Sequence, residues 1–516
     1  MDASADNMIS TNNYLNAKDA GQRQTQSARS EAAASAGSIL RPGRNVWRIE
    51  KATRLKFLVD GEAYFTMLEQ ALRNAKRSIW IIGWDFNGNI RLHPDQGEKS
   101  VRLGNLIREA VEENEDLTVR ILVWRLGSLY SQKKILQKEP WREHPRILVR
   151  YDGKHPLRAS HHQKLVCLDD SLAFTGGMDL TVHRWDRRPH RPYDPDRVTE
   201  DGEAYEPVHD TQIALEGVAA KAIGDLARER WRRATGERHQ PEHHGEEIWP
   251  DGFDPDLKDC EIGIARTLPS MMGFQGRREA GRLNYDVLRA ARKSIYIETQ
   301  YLASRPLGRL LEKRLAEPDG PEVVILVTES SRGLFEQFVM GGNRDRIIRR
   351  LMAADRNNRL RVYYPVAVDE TSGKEQEILI HAKVLIVDDR FLRIGSSNLN
   401  HRSEGLDTEC DVAIEARSPQ ESQAVEFLRN DLLAEHVGVP LKEVESAVYE
   451  SGSLVSAIDR LNVGNKHLRP FNLDPGGEKS LLFGTAVLDP LKPYWPLQKV
   501  RVLPHRIRSW ASRLFS

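Results

Sequence analysis

HQKLVCLDDSLAFTGGMD (162–179) and HAKVLIVDDRFLRIGSSN (381–398) align without a gap, at a constant separation of 219 residues. Both contain the pattern H-x-K-x-x-x-x-D, and after six intervening residues come glycine, a small residue, any residue, and Asp or Asn. One such pattern can arise by chance, but a second copy in a matching stretch excludes chance. The chain therefore contains a duplicated unit.

Two more pairs of segments flank this motif in the same order. ALRNAKRSIWIIGWDF (71–86) matches VLRAARKSIYIETQYL (287–302), a helix end that runs into a buried strand. DTQIALEG (210–217) matches ECDVAIEA (409–416). Helices and strands alternate in both copies, so the fold class is α/β, with a mostly parallel or mixed sheet covered by helices in each half.

Four segments are predicted along the chain. Residues 1–44 are rich in Ala, Ser, Asn and Gln, which is typical of a disordered tail. Residues 45–250 contain the first copy and residues 258–435 the second. Residues 436–516 are predicted to be a C-terminal extension that ends in a basic amphipathic tail.

The bulk composition narrows the classes of function. Lys and Arg total 76 against 75 Asp and Glu, and a net charge of +1 argues against a nucleic-acid binder that acts through bulk charge. Cys167, Cys260 and Cys410 lack C-x-x-C spacing, so neither a disulfide framework nor a zinc site is indicated. We expect no membrane-spanning helix and no secretory signal sequence.

Each motif places a histidine and a lysine on one side of a strand, because residues two apart face the same way. His162 and Lys164 form the first pair, and His381 and Lys383 form the second. If the halves pack with these strand ends together, two imidazoles and two ammonium groups share one site. That inventory suits a phosphodiester, because the lysines neutralise its oxygens while one histidine attacks phosphorus and the other protonates the leaving alkoxide.

The other motif residues are expected to support these pairs. Asp169 and Asp388 complete the catalytic motifs, but they lie an odd number of residues after the histidines, so we expect them to act as scaffold. Glycines and polar side chains that follow can donate hydrogen bonds to a ligand. The predicted substrate-binding residues are Gly177, Asp179, Ser396 and Asn398.

A carboxylate in each copy is predicted to orient a histidine. Alignment of the halves places Asp210 opposite Glu409. We expect each carboxylate to hydrogen-bond its own histidine and fix its tautomer; ordinary strand-edge charge is the alternative. Because lysines take the positions where cations would act, we predict no metal and no cofactor for the reaction.

The doubled motif resembles the phospholipase D superfamily. The stretches AFTGGMDLTVHRWD (173–186), PVHDTQIALEG (207–217), IYIETQYL (295–302) and SSNLNHRSEGLDTE (396–409) look like the phosphatidylcholine-type phospholipases D in particular. The resemblance implies a pseudo-twofold duplicated α/β sandwich, the phospholipase D fold, with one active site between the two halves. It also implies a covalent phosphohistidine mechanism without metal.

The resemblance also assigns roles. His162 would be the nucleophile, and His381 the general acid and later the base that activates water. PVHD (207–210) is a departure, because the family usually has a tryptophan before the histidine; this bears on local packing but leaves Asp210 in place. The phosphate-binding residues implied are Lys164, Lys383 and Asn398.

The implied function is hydrolysis of glycerophospholipids to phosphatidic acid and the head-group alcohol, or transphosphatidylation with an alcohol acceptor. The alternatives are a phosphatidyltransferase of the cardiolipin-synthase type, a nuclease of the same superfamily, and a catalytically silent lipid-binding protein. The expected partners are a phospholipid substrate and a membrane surface, to which the chain would bind peripherally. No nucleic-acid partner is expected. We expect a monomer with an internal pseudo-dimer; a cytoplasmic, peripheral or signal-less exported location stays open.

The C-terminal tail carries its own prediction. No acidic residue follows Asp489, whereas six lysines and arginines do. Leu503, Ile507, Trp510 and Leu514 fall at helical spacing on one face, which is typical of an interfacial helix on an anionic bilayer. The alternative is that this apolar stripe docks on the second half.

Overall fold

The computed structural model describes residues 37–126, 139–242, 247–271, 274–329, 342–464 and 466–473, together with Asp489. The first half begins with a long strand and ends with a long helix. Its elements are β1 (Arg48–Val59), α1 (Asp60–Asn74), β2 (Ser78–Gly83), α2 (Leu103–Glu113), β3 (Thr118–Trp124), β4 (Ile147–Asp152), β5 (Leu165–Leu168), β6 (Leu172–Gly176), β7 (Val208–His209), β8 (Thr211–Glu216) and α3 (Val218–Thr235).

The second half repeats this order with additional elements. They are β9 (Leu257–Leu268), β10 (Arg277–Arg278), α4 (Glu279–Ala290), β11 (Ser294–Thr299), α5 (Arg305–Ala316), β12 (Glu322–Val327), α6 (Gly342–Ala354), β13 (Leu360–Val368), β14 (Glu375–Glu377), β15 (Leu379–Ile380), β16 (Lys383–Val387), β17 (Phe391–Gly395), α7 (His401–Gly405), β18 (Glu409–Glu415) and α8 (Pro419–Val437). The chain continues with α9 (Leu441–Ser451), α10 (Leu454–Leu461) and β19 (Lys466–Pro470).

The two sheets have the same strand order. The first runs β1-β8-β6-β5-β2-β3-β4, and the second runs β9-β18-β17-β16-β11-β12-β13. In each sheet the last three strands are parallel and the other pairs antiparallel. β1 pairs antiparallel with β9 and joins the sheets. This equivalence, strand for strand, confirms the predicted pseudo-twofold α/β duplication.

Helices cover both faces of each sheet. SIWIIG (78–83) and SIYIET (294–299) are buried at every position, as a strand covered on both faces requires. The inner faces of the sheets share one apolar cluster with α3 and α8, in which Trp80 and Trp231 of the first half join Tyr296 of the second. Because this core is common to both halves, it fixes how the two motifs face each other.

The two ends of the ordered fold differ from the prediction. Leu40 is buried, and the Ser38 hydroxyl and the Leu40 N–H donate to the Glu415 carboxylate at 2.8 and 3.2 Å. Packed structure therefore starts before residue 45, because β18 provides an acceptor for this segment. At the other end β19 pairs with β13, so the second sheet continues into the predicted extension.

Residues 1–36 and 490–516 lie outside the described residues. The first range holds the predicted disordered tail, apart from its last residues, and the second holds the predicted interfacial helix. Among the helices that are described, none has the length and apolar character needed to cross a bilayer.

Candidate active site

The segment before each motif strand contacts the opposite half. The His162 N–H, just before β5, donates to the Thr408 carbonyl at 3.0 Å. The His381 N–H, just before β16, donates to the His209 carbonyl at 2.8 Å. These backbone bonds, together with the parallel pair β7 and β15, bring the two motifs to one site across the pseudo-twofold axis.

Each histidine is held by a carboxylate of the other half. His162 Nδ1 lies 3.0 Å from Glu409 Oε2, and His381 Nδ1 lies 2.6 Å from Asp210 Oδ2. Each histidine thus has its own carboxylate, and that carboxylate belongs to the other half, which alignment of the halves did not predict. Asp210 and Glu409 lie at the starts of β8 and β18. These strands neighbour β1 and β9, which pair with each other at the pseudo-twofold axis, so the two side chains extend to the opposite half.

This orientation turns Nε2 of each ring away from its carboxylate. Within the described part of the chain, neither the His162 nor the His381 Nε2 has a hydrogen-bond partner. The His162 side chain is 19% exposed and that of His381 8%. Both imidazoles can therefore present Nε2 to a ligand, and His162 is the more accessible of the two.

The two lysines have different partners. Lys164 Nζ lies 3.1 Å from Asp179 Oδ2 and donates to the His162 carbonyl at 2.9 Å. Lys383 Nζ donates to the His381 carbonyl, and no described carboxylate forms an ion pair with it. Burial lowers the pKa of Lys383 to about 7. The second lysine is thus a buried cation that an anionic ligand would stabilise.

The charges of both lysines lower the pKa of each histidine. Burial first, and then the charges of Lys164 and Lys383, lower the His162 pKa well below its ordinary value. The pKa of His381 is likewise lowered well below its ordinary value by burial, by Lys383 and by Arg184. The lysine of the opposite half contributes to each shift, as expected when both motifs line one site.

The carboxylates are also buried. Burial raises the pKa of Asp210 and raises that of Glu409 to about 8. The Ser396 hydroxyl donates to Glu409 Oε2 at 2.5 Å, and the Thr211 N–H donates to Asp210 Oδ1 at 2.8 Å. Each carboxyl group is thus fixed on both sides, which holds the imidazole that it contacts.

The predicted substrate-binding residues occupy different positions in the site. A Cβ at Gly177 would lie 2.0 Å from Asp210 Oδ1, so glycine makes room for the carboxylate that holds His381. Asp179 is paired with Lys164, and Ser396 is bonded to Glu409, so these two groups orient side chains that are predicted to be catalytic or to hold a catalytic histidine. Asn398 Oδ1 is buried without a hydrogen-bond partner.

Asp169 and Asp388 lie at the far ends of β5 and β16, away from the histidines. The Asp169 carboxylate accepts hydrogen bonds of 2.7–2.8 Å from the N–H groups of residues 76–78, where α1 leads into β2. Asp388 accepts equivalent bonds from residues 292–294. Each aspartate links its motif strand to the helix–strand block of the same half. Their role is therefore structural, although the motif groups them with the predicted catalytic residues.

Sequence reasoning did not single out Arg184. Its charge lowers the pKa of His381 and opposes the rise in the Asp210 pKa, so it is a third cation beside the second histidine. At the matching position of the second copy is Ser403, whose hydroxyl accepts from the Asn398 N–H at 3.1 Å. Since the repeat places a serine opposite the arginine, comparison of the two halves gave no signal for it.

Several known proteins resemble this chain in sequence or in fold. Residues 285–430 match the family model described as cardiolipin synthase, PLD-like domain. Phospholipase D A of Dictyostelium discoideum is 22% identical over 68% of this chain and 32% of its own length. Phospholipase D1 of Saccharomyces cerevisiae is 24% identical over 76% of this chain and 29% of its own. Phospholipase D2 of Bos taurus is 25% identical over 68% of this chain and 48% of its own.

The chain therefore spans less than half the length of these relatives. Among solved structures, the phosphatidylserine synthase of Haemophilus influenzae superposes with a TM-score of 0.51 at 14% identity, over 74% of this chain and 87% of that one. This likeness concerns the fold. By the family-model match and these relatives, the chain is similar to proteins of the phospholipase D superfamily.

Proposed function

We propose that the chain is a phosphodiesterase that hydrolyses glycerophospholipids to phosphatidic acid and the head-group alcohol. The observation that carries this proposal is the facing pair of imidazoles, each clamped at Nδ1 by a carboxylate of the other half, with Lys164 and Lys383 buried beside them. Such a site has a nucleophile, a proton donor and cations for one phosphodiester.

The first step forms a covalent intermediate. His162 Nε2 attacks phosphorus, and the bond from phosphorus to the head-group oxygen breaks. That oxygen takes a proton from the His381 imidazolium and leaves as the alcohol. The His381 pKa is low in the free protein, and the negative charge of a bound phosphodiester raises it, so substrate binding itself favours the acid form.

The second step reverses these roles. His381, now neutral, accepts a proton from water while the water oxygen attacks phosphorus and the bond from phosphorus to His162 Nε2 breaks. Phosphatidic acid is released and both histidines return to their starting state. A primary alcohol in place of water gives the phosphatidyl alcohol by the same route, which is transphosphatidylation. Lys164, Lys383 and Arg184 stabilise the phosphate oxygens in both steps.

Phosphatidyl transfer to a lipid acceptor is the second candidate. It is favoured by the description of the family model that matches residues 285–430, which names cardiolipin synthase. The same residues would perform it, since the acceptor replaces water only in the second step.

The test is an assay of the purified full chain on a panel of phospholipids, each with and without a primary alcohol, with phosphatidylglycerol as acceptor, and with a brief chelator treatment. We expect phosphatidic acid, phosphatidyl alcohol when an alcohol is present, and turnover unchanged by chelator while circular dichroism reports a folded protein. Product formed only with a lipid acceptor would favour the transferase. Loss of turnover in folded protein that has lost no tightly bound metal, restored by a divalent ion at the chemical step, would refute the mechanism.

A further inference from the structure

A group of histidines and carboxylates lies behind the candidate active site. We call Asp60, His190, His209 and Glu435 the N2O2 cluster. Asp60 begins α1, His190 follows the first motif, His209 ends β7 and Glu435 belongs to α8. Their side chains are 0–1% exposed, so the cluster is closed to solvent and joins both halves.

Nitrogen and oxygen atoms alternate around the centre of the cluster. Glu435 Oε1 lies 2.9 Å from His190 Nε2 and 2.8 Å from His209 Nδ1. On the other side, Asp60 Oδ1 lies 3.0 Å from His209 Nδ1 and Asp60 Oδ2 lies 3.3 Å from His190 Nε2. One donor atom from each residue falls within 4.8 Å of all the others.

The outer nitrogens of both rings already have acceptors. His190 Nδ1 lies 2.9 Å from Asp186 Oδ2, and His209 Nε2 lies 3.1 Å from Glu298 Oε2. A histidine that binds a metal commonly donates its other N–H to a carboxylate, which directs the free lone pair at the ion. Both rings of the cluster have this arrangement.

Some polar atoms inside the cluster lack hydrogen bonds, whereas His190 Nε2 and Glu435 Oε1 share one at 2.9 Å. Asp60 Oδ2 and His209 Nδ1 are buried without a partner of normal hydrogen-bond geometry. Glu435 Oε2 faces Arg188 Nη2 at 3.2 Å, which leaves Oε1 directed at both imidazoles. Buried atoms of this kind are costly unless something satisfies them.

We propose that the N2O2 cluster binds one divalent transition-metal ion of the Zn²⁺ type, with Asp60, His190, His209 and Glu435 as its ligands. Two imidazoles and two carboxylates are ligands that Zn²⁺ accepts in a closed tetrahedral site, and its charge balances the carboxylates. Metal–ligand bonds of about 2.0–2.2 Å in a tetrahedron need ligand separations of roughly 3.3–3.6 Å. The observed separations of 2.8–3.3 Å require outward shifts of a few tenths of an ångström.

The ion would be structural. His209, a ligand, supplies the carbonyl that accepts from the His381 N–H at 2.8 Å, and Asp210 follows it directly. Metal binding would thus hold the backbone that carries the second histidine–carboxylate pair, without contact with substrate. The alternative for the cluster is a metal-free network in which protonated histidines balance the carboxylates.

The test is metal analysis of the full chain, without a histidine tag and purified without chelator; it needs no substrate and stands apart from the proposed activity. Inductively coupled plasma mass spectrometry should find about one equivalent of transition metal per chain. His190→Asn and Glu435→Gln should each lower the metal content per chain at least about tenfold. The control His467→Asn alters a histidine beside Glu375, outside the cluster, and should keep the metal.

A second measurement covers variants that fail to fold. The wild-type chain, unfolded with chelator and refolded with Co²⁺, should show the intense visible absorption of a tetrahedral site and a melting temperature above that of the metal-free sample. The proposal is overturned if wild-type protein refolded with Zn²⁺, Mn²⁺ or Co²⁺ retains none of them. Full metal content in folded His190→Asn and Glu435→Gln would also overturn it.

Discussion

His162 and His381 occupy equivalent positions in the two halves, yet different groups surround them. The Glu409 carboxyl beside His162 is bonded to the Ser396 hydroxyl, whereas Asp210 beside His381 lies near Arg184. The first lysine has the carboxylate of Asp179 as partner, and the second has Asn398 at the matching position. Duplication supplied the shared geometry, and later divergence of neighbouring residues can give the two histidines opposite roles.

The largest expected effect separates the histidines. His162→Ala should lower kcat by about 10⁴-fold or more, because the nucleophile is lost. His381→Ala should cost about 10²–10⁴-fold on a substrate with a poor leaving group. With an activated aryl leaving group, which needs no proton, His381→Ala should recover most of the first step while His162→Ala stays inactive. Equal behaviour of the two variants on both substrates would contradict the division of roles.

The second comparison concerns the crossed carboxylates. Asp210→Asn and Glu409→Gln should each lower kcat by about 10²–10⁴-fold, because each fixes a histidine tautomer. A double-mutant cycle should show strong coupling of His162 to Glu409 and of His381 to Asp210. Additive effects for these two pairs, with coupling inside each half instead, would show that the crossed pairing does not operate in solution.

The third comparison uses the lysines and measures stability. Lys164→Met leaves Asp179 buried without its cation and should destabilise the fold by about 3–5 kcal/mol. Lys383→Met removes a buried cation that forms no ion pair with any described carboxylate, so the melting temperature should rise at pH 6. Denaturation monitored by circular dichroism tests both changes. A similar loss of stability in the two variants would indicate that the lysines have equivalent surroundings.

The pH dependence of the Lys383→Met effect has a defined sign. The folded-state pKa of Lys383, about 7, lies below the ordinary value of 10.5. The buried charge of Lys383 therefore destabilises the fold by its full amount below pH 7. This destabilisation decreases as the pH rises from about 7 toward 10.5. The gain from Lys383→Met should shrink accordingly between pH 6 and pH 10, and a constant gain would contradict the shift.

The smallest expected effect is on the rate profile. kcat/KM should fall on the acid side as the histidine nucleophile becomes protonated, and on the alkaline side as Lys383 loses its charge near pH 7. Lys383→Arg keeps the charge and should move the alkaline limb upward, with Lys164→Arg as the matched control. An alkaline limb unchanged in Lys383→Arg would remove Lys383 as its cause.

Much of the fold could be predicted because duplication is visible in the sequence. The matching blocks identify equivalent strands, and the H-x-K spacing predicts which side chains share a face. Which half each carboxylate serves could not be predicted, since Asp210 and Glu409 reach across an axis that exists only after the halves pack. Arg184 has a serine as its repeat partner, and Asp60, His190, His209 and Glu435 are far apart along the chain.

The most direct test of the account is to locate the covalent intermediate in the wild-type chain. Protein mixed with a short-chain phospholipid would be quenched under alkaline denaturing conditions, digested, and its peptides mapped by mass spectrometry for the acid-labile phosphatidyl group. The account predicts the adduct on His162, its absence in His162→Ala, and its accumulation when His381→Ala slows hydrolysis. An adduct on His381 would reverse the roles of the halves, and turnover without any adduct would contradict the phosphohistidine mechanism.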